Sequence, residues 1–144
     1  MTTLSDLRAR VAAHHAALRG IMRGLVEVIH AADRADITPA HLGALVTRLE
    51  DEAARHRAFE EAVLLPFLRQ NDREVVVVQL HLEHFAQRNA LSALVYLVRA
   101  GSRGTGEPLD AIRGLFRSFE VDMSAEEERL RGLDAQLVAR AAAG

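Results

Sequence analysis

Cysteine is absent from the chain, which excludes disulfides, thiolate zinc sites and cysteine nucleophiles and is compatible with a reducing compartment. Long apolar runs are missing too. No stretch approaches the ~20 residues needed to span a bilayer, and the opening Met1 to Arg10 contains no apolar signal core. Neither sign of charge is in excess. Eighteen basic residues stand against twenty acidic ones, dispersed along the sequence, so there is neither the basic footprint of a nucleic-acid binder nor an acidic tail. A soluble cytoplasmic protein with no nucleic-acid and no membrane partner is expected. Strand-like alternation, linkers and low-complexity tracts are also lacking. With 49% hydrophobic residues, the 144 residues suffice for one domain, 1–144, with a genuine core.

What is present is helical periodicity. Apolar residues recur at three- and four-residue steps in four long blocks. The first runs from about Leu4 to Ala32, with Leu7, Val11, Leu18, Met22, Leu25 and Ile29 on its stripe, and ends at Asp33 to Ile37. Thr38 and Pro39 read as a cap followed by proline at the first helical position, opening a second block to about Arg69 that contains Pro66 near its end. After Asn71, Asp72 is read as the cap of a third helix reaching Ala100. The run Val75 to Val78 favours a strand by local propensity, but no other strand is available to pair with it. A loop over 101–107 precedes a fourth helix with Leu109, Ile112, Phe116, Phe119, Met123, Leu130, Leu133 and Leu137, whose end from Ala139 to Gly144 is expected to fray. The fold class is therefore all-α, an antiparallel up-down-up-down four-helix bundle.

One segment occurs almost twice. His56-Arg-Ala-Phe-Glu60-Glu61-Ala-Val-Leu64 is echoed sixty-six residues later by Asp122-Met-Ser-Ala-Glu126-Glu127-Glu-Arg-Leu130. Each copy puts a metal-ligand type and a carboxylate one turn apart on a single helix face. All four stripes are interrupted by such residues: His14 or His15 in the first, His56 and Glu60 in the second, His84 with His81 one turn earlier in the third, Asp122 and Glu126 in the fourth. Left unpaired in a core, each would cost several kcal/mol. Counted from the predicted turns, they also share one level. His15 and His56 are 21 and 20 residues from Asp36, roughly 30 Å along each helix. Imidazoles and carboxylates together suit iron, manganese or zinc, whereas calcium would take oxygen alone. Six such ligands exceed the needs of one tetrahedral ion, so a two-metal site with a carboxylate or solvent bridge fits best.

At these residues the chain resembles the hemerythrin-like (HHE cation-binding) family over nearly its whole length. His15-Ala-Ala-Leu18 matches the first-helix element, His56-x-x-x-Glu60-Glu61 with Leu64 and Pro66 the second, Glu83-His84 the third, and Asp122-x-x-x-Glu126-Glu127 with Leu130 the fourth. The resemblance implies a hemerythrin-like bundle and metal ligands His15, His56, Glu60, His84, Asp122 and Glu126. His14, His81 and Glu61 are additional candidates, as further ligands or as groups that orient the ligands. It also implies a non-haem di-iron centre that handles dioxygen, peroxide or nitric oxide, with manganese or zinc as other metals. Asp122 stands where the family has histidine. An anionic oxygen in place of a neutral imidazole should favour the ferric state, and so di-iron oxidase, oxygenase or peroxide chemistry, with or without a small organic substrate, over reversible oxygen carriage. Two alternatives stand beside this: an iron- or oxygen-sensing binding module without catalysis, and a metal-free helical interaction protein. Of the remaining residues, Glu127 and Glu128 read as a solvated face and Tyr96 as packing. Pocket shape is expected to depend on Leu18, Met22, Phe59, Leu91, Phe119 and Met123.

Overall fold

The computed structural model describes residues 2–32, 39–99 and 107–143. Within these the chain forms helix α1 (Leu4–Ala32), α2 (Pro39–Phe59), a π-helical turn (Glu60–Leu64), α3 (Leu65–Gln70), α4 (Glu74–Arg99) and α5 (Glu107–Ala143). No strand occurs among the described residues, and the Val75 to Val78 run lies in the first turns of α4. The expected turn at Asp33 to Ile37 with its Thr38 cap lies outside the described residues. So do the loop over 101–107, apart from Glu107 at the head of α5, and the side chains of Ile29 and Leu109. No helix among the described residues is long and apolar enough to cross a membrane.

α2, the π turn and α3 form one continuous rod, so the molecule has four rods. α1 packs on α2, α2 and α3 on α4, α4 on α5, and α5 closes on α1. Cross-helix partners fix the directions. Arg8 meets Asp134 and Arg19 meets Glu120 between α1 and α5; Glu61 meets Arg88 and Arg69 meets His81 between the second rod and α4. As one number rises its partner falls, so neighbouring rods are antiparallel.

Local signals start and stop the rods. Thr3 and Asp6 form a reciprocal capping box at α1: the Thr3 backbone N–H donates to Asp6 Oδ2 (2.8 Å), and the Asp6 N–H donates to Thr3 Oγ1 (3.1 Å). At the other end of the second rod, Asp72 has φ 57°. Its N–H donates to the Arg69 carbonyl (3.1 Å) and the Arg73 N–H to the Leu68 carbonyl (2.9 Å), which is the Schellman arrangement. Asp72 therefore terminates α3 rather than capping the next helix as expected; a short polar side chain tolerates the left-handed region where a branched one would not. The π turn has a similarly local cause. Pro66 has no N–H to donate and its ring crowds the carbonyl four residues back. The helix widens just before it, with the Leu65 N–H reaching the Glu60 carbonyl five residues back. The extra residue brings both Leu64 and Leu65 into the interior. At the chain's far end α5 stays helical through Ala143, with its last side chains exposed.

Two apolar clusters fill the bundle, one toward each end. The first gathers Leu18, Met22, Leu25, Leu49, Leu94, Ile112, Phe119 and Met123; the second gathers Leu7, Val11, Phe59, Leu64, Leu68, Leu80, Leu130 and Leu133. Leu7, Leu25, Leu49, Leu64, Leu80 and Leu94 are completely buried, each worth about 1.5–3 kcal/mol of hydrophobic stabilisation. The expected pocket residues Leu18, Met22, Leu91, Phe119 and Met123 all sit in the first cluster and Phe59 in the second. Tyr96, expected to pack, is instead 72% exposed.

Candidate metal centre

Between the two clusters every rod presents a polar residue on its buried stripe. His15 follows Val11 and precedes Leu18, His56 lies between Ala53 and Phe59, His84 follows Leu80, and Glu126 lies between Met123 and Leu130. Glu60 stands one turn after His56, at the first position of the π turn. His15, His56, Glu60, His84 and Glu126 are the buried polar side chains of the described residues, none more than 4% exposed.

Four of them converge: one ligand atom each from His15, His56, Glu60 and Glu126 lies within 4.8 Å of the others. His15 Nε2 and His56 Nε2 face each other at 3.2 Å, and each lies 3.8 Å from Glu126 Oε1. Donors about 2.1 Å from a shared cation would subtend about 100° at the shorter separation and about 130° at the longer, which a distorted four- or five-coordinate site accommodates. Glu60 splits its oxygens, Oε1 lying 2.6 Å from His56 Nε2 while Oε2 contacts His84 Nε2. A carboxylate so shared has the form of a bridge between two positions.

The protonation pattern decides whether these groups can satisfy one another. His15 Nδ1 lies 2.7 Å from Glu127 Oε1, so that nitrogen carries the proton and donates, leaving a lone pair on Nε2 aimed at the cluster. Burial lowers the His15 pKa to about 4, against the opposing pull of Glu127, so the ring is neutral at ordinary pH. Burial pushes Glu126 well above the usual carboxylate range, and Glu60 beside it adds to the effect. For Glu60 burial acts in the same upward direction, but its close polar contacts with Glu126, His56 and His84 outweigh it and hold the group well below that range. Without metal the two glutamates thus share one proton, held by Glu126.

That proton does not satisfy the site. Both oxygens of Glu60, Glu126 Oε1, His56 Nδ1 and both ring nitrogens of His84 are buried without a hydrogen bond of good geometry. Each such group costs about 1–3 kcal/mol, and more when charged. A cation among the inward-facing donors would give Glu60, Glu126 and His84 Nε2 the partner they lack, so the residues present fit a metal with mixed nitrogen and oxygen ligands.

The other predicted residues stand apart. Asp122, one turn before Glu126, is half-buried and hydrogen-bonded to Gln87 of α4, and burial raises its pKa despite that bond. It is not one of the four converging groups. His14 stacks on Phe59 with ring centroids 5.3 Å apart and an interplanar angle of 16°, and it lies tilted against the His56 ring, also at 5.3 Å between centroids. His81 is exposed beside Arg69 at 3.5 Å, and Glu61 is exposed beside Arg88 at 3.3 Å. Neither reaches the cluster, because each lies on the outer face of its helix.

Two groups escaped the sequence reading. Glu127 is not simply a solvated neighbour of Glu126. Its Oε1 accepts from His15 and also from Arg19 Nη1 at 2.9 Å, and Arg19 is held in turn by Glu120 Oε2 at 2.8 Å. The signal was Arg19 itself, four residues after His15 and so on the same helix face. On the opposite side of the centre, Arg129 of α5 pairs with Glu83 of α4. The profile of the family described as Hemerythrin HHE cation binding domain matches residues 6–133. No curated protein and no solved structure matches the chain.

Proposed function

The chain belongs to the hemerythrin HHE cation-binding family, and from that membership and the geometry of the cluster we infer that it holds a pair of non-haem iron ions and reacts with dioxygen, peroxide or nitric oxide. The observation that carries this reading is Glu60, completely buried in a π turn, with one oxygen toward His56 and the other toward His84. One position would be held by His15, His56, Glu60 and Glu126. The second would rest on the other oxygen of Glu60 with His84, and is the weaker because Asp122 is engaged with Gln87.

Bound iron would supply one-electron oxidation and reduction and an open position for a small ligand. The chain's own residues prepare that setting. Glu127 fixes the His15 tautomer so that Nε2 faces inward. Arg19 offsets the Glu127 charge from the solvent side. The apolar layers above and below keep water from the cluster, and anionic Glu60 and Glu126 favour the more highly charged ferric state.

Anaerobic ferrous titration followed by optical and Mössbauer spectroscopy on exposure to oxygen tests the reading. Two equivalents are expected, the first bound more tightly, with an oxygen-dependent absorption band that Glu60→Gln abolishes. Substoichiometric binding, or a ferrous spectrum indifferent to oxygen, refutes it.

A further inference from the structure

α4 is apolar on two faces. Val77, Leu80, Leu91 and Leu94 point into the bundle, whereas Val75, Val78, Leu82 and Phe85, on the opposite side, are 72, 55, 66 and 67% exposed. Steps of three, four and three give this outer stripe the spacing of a coiled-coil seam. Its exposed area, on the order of 400 Å², is the size of patch that marks an interaction site.

We propose that a second copy of this chain covers the stripe, the two α4 helices packing antiparallel about a two-fold axis at the level of Leu80. The sequence is self-complementary in that register. Val75 meets the second copy's Phe85 and Val78 meets its Leu82, so all four apolar positions are covered at once. At the flanks, Glu74 comes beside the second copy's Arg88, and symmetry supplies the pair twice. A parallel arrangement would bring Glu74 beside Gln79 and Arg88 beside Ala93, without any charge pair, so flanking charge selects the antiparallel form. Glu74 and Arg88 are available for it. Their present partners, Arg69 at 4.0 Å and Glu61 at 3.3 Å, are exposed surface pairs, a kind that contributes little. Two stripes with their flanking residues bury about the 1,200 Å² at the lower limit of stable interfaces, so the dimer is concentration-dependent.

Sedimentation equilibrium on the full chain, with and without added iron, measures it. Wild type is expected to approach twice the chain mass as concentration rises. Leu82→Glu and Phe85→Glu should each leave a monomer with unchanged helix content and metal stoichiometry. Glu74→Arg, which sets like charges against the second copy's Arg88, should weaken the dimer several-fold, and combining it with Arg88→Glu should restore it, a test that holds even if Leu82→Glu disturbs the fold of α4. Because the chain has no cysteine, His81→Cys gives a unique cross-link across the two-fold axis on oxidation, whereas Val78→Cys would do so only in a parallel pair. A wild type that stays monomeric at every concentration overturns the proposal, including one that instead floats with vesicles of phosphatidylglycerol and phosphatidylcholine. So does a dimer indifferent to Leu82→Glu, or one cross-linked through Val78→Cys but not His81→Cys.

Discussion

Removing the Glu127 carboxylate should weaken metal binding without touching a ligand. Its Oε1 accepts from His15 Nδ1 at 2.7 Å, a short bond to a charged acceptor of the stronger kind. That bond holds the proton on Nδ1 and leaves Nε2 as the inward donor. In Glu127→Ala the neutral His15 ring is free to put its proton on Nε2, where it would point at His56 and Glu126 and have to be removed before a cation could bind. Losing such an outer partner typically costs 10- to 100-fold in affinity. Glu127 shares its oxygen with Arg19 and is 30% exposed, so the lower part of that range applies, about tenfold or ~1.4 kcal/mol. Competition with a chromophoric chelator gives the dissociation constant, and circular dichroism confirms that the helices are intact. Glu127→Gln keeps a neutral acceptor at the same place and should recover a good part of the loss. Unchanged affinity in Glu127→Ala, or equal damage from Ala and Gln, would refute the tautomer argument.

Affinity for a divalent ion should rise with pH. Glu126 holds its proton well above the usual carboxylate range and must release it on binding, while His15, with its pKa near 4, does not compete above that value; titration in buffers of different ionisation enthalpy should show about one proton released per ion, and pH-independent binding would contradict the assignment. Asp122→His should restore a nitrogen donor next to His84 and tighten the second equivalent relative to the first, measured by the same stoichiometric titration. Leu80→Ala, at a completely buried position one turn before His84, should destabilise the fold by about 3 kcal/mol in urea denaturation, and a loss under 1 kcal/mol would mean the cluster closes over the gap. Gly20 and Gly132 are helical glycines with no atom within 4 Å of an added Cβ. Alanine at each should raise stability by about 0.5–1 kcal/mol, since only the unfolded chain loses freedom.

The helices and their shared polar level were legible because burial writes a period into sequence. Val11, Leu18, Met123 and Leu130 frame His15 and Glu126 at helical steps, and a ligand type where leucine is due is visible without coordinates. What remained hidden depends on rotation and on relations between helices. Glu126 and Glu127 are adjacent letters about 100° apart on α5, and only the phase of α5 against α1 shows that the second reaches His15. Asp122 fits the pattern by spacing, yet its short side chain ends on Gln87. The widened turn at Glu60 had a signal in Pro66, read only as lying near the end of the second helix, whereas the chain absorbs it by adding a residue. Asp72 was ambiguous in kind, since the residue type that caps a helix start also tolerates the left-handed conformation that ends one.

The polar layer is bounded on both sides by apolar clusters, each of which joins all four rods. The donors are thus positioned before any ion arrives, like jaws set to a fixed gap, and loading requires little rearrangement beyond the departure of a proton. If it binds metal as proposed, a centre built this way would empty and refill while its housing stays intact, and its ligands could be exchanged one at a time without dismantling the frame that aims them.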